Sequence, residues 1–424
     1  MKFKKFYGLT ILLFAPFVLF ACGSGGGSGG GSTGIGTGTL SLNMVDNASD
    51  YNAVYITLKD VQIHAKKNVG NNNNSWTSVV APTLPKTIDL LELVNDVRFY
   101  IGAANLSAGG YTQMRLIIDA DDSDGGINIL SEQHPYANYV IDSNNNYHEL
   151  KIPSGDKTGF KIVHGFTIYD KTTTELNLDF DVCRSIIEKG DKDPWILKPV
   201  VKVFDDHEKA IIRGKVTDND TKLGIPRVLV SVQNYDAGAA DLKDRVIVHT
   251  STLTSSEPGS EGNFSIFVEP TSEYYNLVAY KDGYHPDFGT VTILNEGDVL
   301  EGNTAVNFIL KPATITGIVS GKILISGTGP NGEPPWATLS FRQQIGCDSG
   351  SSNDMIELKS VNVETGTVFD ELLPVIPTSD PDEPCGDYQL VVFSYERGTE
   401  DVSPLIIDSG LNNLPDITLL ENSK

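Results

Sequence analysis

The chain predicts an all-β protein: tandem antiparallel β-sandwich domains set behind an apolar leader and a Gly/Ser-rich tether. Three observations predict it. Apolar and polar residues alternate at period two in one short run after another from Thr39 onward, the pattern of strands with one buried face. A helical period is confined to one short stretch, around Asp89 to Asp96. Glycine and proline, 41 and 21 residues, recur between the runs where turns are needed. With 424 residues, 40% of them hydrophobic, the chain is long enough for two to four domains with ordinary cores.

Residues 1–21 read as a cleavable signal peptide. Lys2, Lys4 and Lys5 form its positive end, Leu9 to Phe20 an apolar core short for a spanning helix, and Ala21 the small residue before the cut. The run Leu19-Phe20-Ala21-Cys22 resembles the lipobox of bacterial lipoproteins, with Phe20 at a position usually small or polar. The resemblance implies lipidation of Cys22 and a mature chain that starts there, anchored in the cell envelope. Gly23 stands where an inner-membrane retention signal usually has Asp, which by resemblance implies the outer membrane if the cell is Gram-negative. Acyl chains anchor at about 0.8 kcal/mol per CH₂, so several hold far better than one. Residues 22–38 join the lipidated Cys to a tether, GSGGGSGGGSTGIGTG, with nothing to pack and a reach of about 20–25 Å. No later segment has 18 consecutive apolar residues, so the lipid is the expected membrane contact.

The first folded domain is read over 39–204. Leu40, Leu42 and Met44 alternate, then Val54, Ile56 and Leu58, then Val61 and Ile63, with a bulge at the odd step from Leu58 to Val61. Met114, Leu116 and Ile118 follow, then one long face of Phe160, Ile162, His164, Phe166 and Ile168. Leu176, Leu178, Phe180 and Val182 form the buried face of another strand, with Asn177, Asp179 and Asp181 turned outward. The ordered pieces GTLSLNMVDNASDYNAVYITLKDVQIH, TIDLLELV, LSAGGYTQMRLIID, IPSGDKTGFKI, LNLDFDVCRSI and ILKPVVKV resemble the DUF4382 family over 37–204. The sequence departs at Asp46-Asn47-Ala48, where that family usually reads Asp-Ala-Pro. The resemblance implies export and a β-sandwich, and no activity.

The second domain is read over 209–312. AIIRGKVTDNDTKLGIPRVLVSV, SEGNFSIFVEP, YYNLVAYKDGY and VNFILKP are similar to the carboxypeptidase regulatory-like domain, a small transthyretin-like sandwich that is an accessory and carries no peptidase activity. Gly214 inside the first strand predicts a bulge or a close approach, Asp218-Asn219-Asp220 a turn, and Gly283 a tight turn before Tyr284. The third domain, 313–421, opens with TITGIVSGKILI and closes with PDITLLE, echoes of AIIRGKVTD and VNFILKP, and reads as a further, diverged sandwich.

Charge bounds the partners. Cleavage before Cys22 removes three lysines and no acid, leaving 29 bases against 55 acids and a net charge of −26. Such a chain disfavours nucleic acid and anionic membrane surfaces and favours cations or basic partners. Cys183 reads as a small buried residue after a strand, whereas Cys347 and Cys385 form the natural disulfide pair, with about 4 kcal/mol to contribute. Asp348 and Asp354 flank one side of that bridge, and Asp380, Asp382, Glu383 and Asp387 the other. Converging carboxylates can hold Ca²⁺, which takes six to eight oxygens, or remain exposed acidic loops. The stretch from Asp119 to Gly126 resembles half of a calcium loop, with Gly125 supplying no oxygen at the fifth position, and reads as a solvated turn.

Catalytic signatures are missing from the sequence: there is no H-E-x-x-H, no Walker motif, no C-x-x-C and no G-x-G-x-x-G opening a helix. His64, His134, His148, His164, His207, His249 and His285 show no metal-ligand spacing. Tyr274, Tyr275, Tyr280 and Tyr284 form a tyrosine-rich region that serves as a core or as a binding face. The expectation is a lipid-anchored extracytoplasmic protein, not an enzyme, with a binding or structural role and no cofactor beyond a candidate Ca²⁺. A surface adhesin taking a protein or glycan is the alternative. A hydrolase built on Asp179, Asp181 and His164 is the second, and alternation places those acids and that histidine on opposite faces.

Overall fold

A computed structural model describes residues 36–47, 49, 51–66, 69, 76–79, 86–95, 97–119, 136–153, 159–190, 192–205, 209–329, 334–345, 354–376, 388–394 and 397–420. The leader, the tether and Cys22 lie outside the described residues. The first group of strands is β1 (Thr37–Asn47), β2 (Ala53–Ala65), β3 (Trp76–Ser78), β4 (Lys86–Asp89), β5 (Phe99–Ser107), β6 (Gly109–Ile118) and β7 (Tyr139–Ile141). It continues through β8 (Tyr147–Lys151), β9 (Phe160–Ile162), β10 (Phe166–Ile168), β11 (Thr173–Asp181), the one-turn helix α1 (Val182–Ser185), β12 (Ile186–Glu188), β13 (Trp195–Leu197) and β14 (Val201–Asp205). One sheet runs β14-β11-β1-β5, and β10-β6-β2-β7-β8-β13-β12 forms the other face. The alternating residues Leu40, Leu42, Met44, Val54, Ile56, Leu176, Leu178 and Phe180 meet in the core between them.

Local chemistry sets the breaks. The register of β2 against β6 shifts between Leu58 and Asp60, the predicted bulge. The short helical signal becomes a 3₁₀ turn at Leu90–Glu92, capped by Asp89, whose carboxylate accepts from the Leu91 and Val54 amides at 3.1 Å. The long face expected from Phe160 to Ile168 is instead two three-residue strands, and His164 lies half-buried in the break beside Gly165. Cys183 is half-buried on α1 rather than at a strand end, because Asp181 accepts from the Arg184 amide at 3.1 Å and turns the chain into a helix.

The second group is β15 (Ala210–Asp218), β16 (Leu229–Tyr235), β17 (Val246–Leu253), β18 (Asn263–Val268), β19 (Thr271–Tyr280), β20 (Tyr284–His285), β21 (Asp287–Leu294), β22 (Val299–Leu300) and β23 (Phe308–Pro312). The third is β24 (Thr316–Ile325), β25 (Trp336–Gln344), β26 (Met355–Glu364), β27 (Val368–Pro374), β28 (Tyr388–Phe393), β29 (Thr399–Leu405), β30 (Gly410–Asn413) and β31 (Ile417–Leu419). The two share one wiring. β15 pairs antiparallel with β18 and parallel with β22 and β23, while β24 pairs antiparallel with β27 and parallel with β30 and β31. In the facing sheets β17-β16-β19-β21 corresponds to β26-β25-β28-β29. The echo between opening and closing segments is therefore physical: in each group the first strand lies parallel to the last. Gly214 sits opposite Phe264 and Gly321 opposite Phe369. A Cβ at either glycine would lie 2.7 or 2.8 Å from that ring, and at Gly214 also 1.7 Å from the Val306 carbonyl. Only glycine permits so close an approach.

The sheets are mostly antiparallel, as the alternation predicts, with parallel pairs at β1–β11, β8–β13 and β12–β26 and where β15 and β24 meet the closing strands of their groups. The three groups also interlock. Residues Ile187 and Glu188 of β12 pair with Asn362 and Val363 of β26, so one sheet continues from the first group into the third. Strand β19 is buried on both faces. Tyr275, Leu277 and Ala279 enter the second core, and Val278 and Tyr280 pack with Val319, Leu339 and Leu373 in the third.

Candidate functional site

Cys22, Cys347, Cys385, Asp348, Asp380, Asp382, Glu383 and Asp387 all lie outside the described residues. Asp354 is described, and it turns inward: its Oδ2 accepts from the Tyr274 hydroxyl at 3.1 Å and from Asn276 Nδ2 at 3.3 Å. It therefore ties the third group to the second. Among the described residues, no three His, Cys, Asp or Glu are grouped to hold a metal ion. Asp119 is buried and paired with Lys59 at 3.2 Å, while Asp121 to Gly126 lie outside the described residues.

Asn177, Asp179 and Asp181 are buried, not turned to solvent as alternation alone predicts. They do leave the core of their own sandwich, but the second group covers that face. Arg184 Nη1 donates to the Val248 carbonyl at 3.3 Å, and Lys202 Nζ donates to that of His249. Asn95 Nδ2 donates to the Leu253 carbonyl at 2.7 Å, and Asn95 Oδ1 accepts from the Ser265 amide at 3.1 Å. Burial in this seam, reinforced by the neighbouring Asp181 charge and partly offset by Lys202, pushes the Asp179 carboxyl up to about 7. His164 lies in the break between β9 and β10, which pair with β6 in the opposite sheet, whereas Asp179 lies on β11 and Asp181 at its end.

The tyrosines are likewise committed. Tyr275 and Tyr280 are core residues of two different clusters. Tyr284 donates to Asp218 Oδ2 at 3.1 Å, bracing the turn in which Asp218 Oδ1 accepts from the Asp220 and Thr221 amides at 2.9 and 2.7 Å. Of the two readings of these tyrosines, core or binding face, their placement fits the core, since the rings fill interiors and seams.

Sequence reasoning missed a cleft of about 630 Å³ lined by residues of all three groups. Its first wall is the β7–β8 turn and the chain around β12 and β13. There His148 lies with Nδ1 3.0 Å from Asp193 Oδ1 and Nε2 3.2 Å from Asp142 Oδ2. The imidazole stacks on Trp195 at 4.0 Å between centroids and 12° between planes. Burial raises Asp142, but bonds from Asn146, His148 and Asn144 outweigh it and hold its carboxyl below the usual range. The other wall is the outer face of β27, with Asp370 and Leu372, and Asp282 of the second group closes one end. Lys359 Nζ binds Glu371 at 2.7 Å and Asp282 at 3.1 Å across that end. No single motif marks this site, since its residues come from distant segments. The only local signal is the turn Asp142 to Asn146 before His148.

The fold and this junction define a multi-module all-β protein held as one unit. Residues 37–199 match a family described as a domain of unknown function, DUF4382, which confirms the resemblance over the first group of strands. No curated protein matches the chain. Among solved structures, the Bacillus anthracis TIE protein is 10% identical with a TM-score of 0.19, over 90% of this chain and 51% of that one. The chain thus spans about half of that protein's length. A Streptococcal ancillary pilin is 9% identical over 91% of this chain and 100% of its own, also with a TM-score of 0.19. A Bacteroides ovatus protein described as an adhesin candidate is 11% identical over 50% and 93%, with a TM-score of 0.17. None of these likenesses assigns a role to this chain.

Proposed function

We propose that this protein is a lipid-anchored scaffold of the cell envelope, which holds a block of three β-sandwiches away from the membrane and acts by binding or support rather than catalysis. In this reading Cys22 carries the lipid and residues 22–38 are the spacer. Residues 39–204, 209–312 and 313–421 are the modules, the second of the transthyretin-like type that its carboxypeptidase regulatory-like resemblance implies and the third a diverged sandwich. Membrane partnership runs through the lipid, and the outer membrane is the compartment in a Gram-negative cell. The observation that carries the proposal is the use of the conspicuous polar residues. Asp179, Asp181, Asp354, Tyr274 and Tyr280 all serve joins within or between modules. Among the described residues no helix is long and apolar enough to cross a membrane.

The test is metabolic labelling with palmitate followed by membrane fractionation. The wild-type chain takes up label and sediments with membranes. Cys22→Ala takes up none and is released or mislocalised while its modules remain folded. A Cys22→Ala variant as membrane-bound as the parent overturns the anchor.

A further inference from the structure

The second and third modules place an apolar row at the same point of their outer sheet face. In the second, Ile211 stands opposite Phe267 on one side and Val299 on the other. In the third, Ile318 stands opposite Leu372 and Leu411. Directly opposed residues share a face, so each set is a row across three strands. The shared glycine–phenylalanine pairs put the two rows in register, since Gly214 and Gly321 each follow three residues after the central isoleucine.

The first row is covered from within the chain at its Phe267 end, while Val299 at the other end is 42% exposed. Phe204 lies 6.4 Å from Phe267, centroid to centroid, with Lys209 Nζ 3.8 Å and Arg98 Cζ 5.3 Å from the same ring. The void left beside Phe267 and Asp179 is about 30 Å³. Among the described residues the second row is the more open of the two. Leu372 faces the cleft of about 630 Å³, and from there the row runs outward through Ile318 at 39% and Leu411 at 61% exposure. The cleft's charge is predominantly acidic. Asp142, Glu188, Asp282, Asp370 and Glu371 line it against Lys189 and Lys192, with Lys359 partly offsetting one end.

We propose that this cleft, continued by the Leu372–Ile318–Leu411 row, binds an extended polypeptide segment of a partner protein that carries an aromatic side chain next to lysine or arginine. The geometry repeats what Phe204, Lys209 and Arg98 do on the second module: an apolar ring packs on one end of the row, and cations stand against ring and acid. The strongly acidic third module, with 5 bases against 17 acids in residues 313–424, favours a basic segment. A second copy of this chain is disfavoured, because its own Phe204 is already seated on its second module. The site goes beyond the scaffold role and does not depend on the lipid.

Calorimetric titration of the purified full chain tests it, with the probe acetyl-Lys-Val-Phe-Lys-Val-Lys-amide at low ionic strength. The expected result is saturable binding that Asp370→Lys and Ile318→Ser each weaken by about tenfold or more, at unchanged melting temperature. Replacing the probe's Phe with Ser also removes it. Absence of binding to the wild-type chain overturns the proposal. So does binding undiminished in either variant, or equal binding of the Ser probe. Sedimentation supplies the last arm: a dimer abolished by Asp370→Lys puts a second copy in the cleft and overturns it as well. Since membrane association is read separately on Cys22→Ala, failure of the anchor and failure of the cleft are distinct results.

Discussion

Asp179 condenses the energetics of the molecule into one side chain. It lies in the seam between the first and second modules, and burial with the nearby Asp181 charge raises its carboxyl from 3.8 to about 7. Asp89 is raised to about 6, chiefly by burial, against the opposing bonds from Val54 and Leu91. An acid held more tightly protonated in the folded chain than in the unfolded one stabilises the fold below the unfolded value, and the advantage is lost as pH rises through the folded value. The chain should therefore lose stability from about pH 4 to about pH 7, by up to a few kcal/mol for Asp179 alone. Asp179→Asn should remove most of that slope and leave the variant more stable than the parent at pH 8. Urea titrations at pH 5 and pH 8 check it, and a slope unchanged by Asp179→Asn refutes it. The sequence contained Asp179 and its alternation with Leu178 and Phe180. It did not contain the second module's position, which converts an outward acid into a buried one.

At the scale of elements, side chains close the joins between strands that do not pair. Gln233 of β16 donates through Nε2 to the Glu357 carbonyl at 2.7 Å and accepts from the Glu357 amide at 2.8 Å, imitating a strand partner for β26. Asn362 of the same strand donates to the Cys183 and Ile186 carbonyls at 3.1 and 3.2 Å. Arg342, almost wholly buried on β25, donates to the Leu242 carbonyl at 2.7 Å, at the end of a 3₁₀ turn of the second module. Removing such a side chain strands two buried backbone groups at about 1–3 kcal/mol each. Gln233→Ala should thus destabilise by about 2–4 kcal/mol, read as a lower urea midpoint with an unchanged slope. A loss below about 0.5 kcal/mol would mean that the pairing contributes only geometry. The strands were legible from alternation and the bulge from one odd step. The two short strands around His164 and the helix at Cys183 were not, because a gap in pairing against β6 and a cap by Asp181 override the local period.

At the scale of the whole molecule, the three modules share more than a chain. A sheet passes from β12 into β26, and β19 contributes to two cores. Independent beads would unfold in separate steps, whereas seams of this kind couple them. Calorimetry should show a single dominant transition, and substitutions in the seams, Gln233→Ala among them, should lower it as a whole. Two or three resolved transitions that shift independently would refute the coupling. The correspondence of the second and third modules is also a whole-molecule property. Its sequence trace is slight, a pair of echoing strands and a glycine opposite a phenylalanine, because a sandwich constrains burial and register far more than identity.

The sequence by itself determined the all-β class, the charge and the order of strands, since each depends on residues close together along the chain. Period two requires one buried face per strand, and glycines mark where no side chain fits. The tertiary structure decided which outward faces stay wet. The acids of β11 were covered, the tyrosines were drawn into seams, and the outer row of β27, β24 and β30 was left open beside a cleft. Those outcomes depend on surfaces brought together from segments far apart along the chain, as in the joins Arg184–Val248 and Tyr274–Asp354. Burial and charge there arise from the meeting of modules, and no local pattern records them.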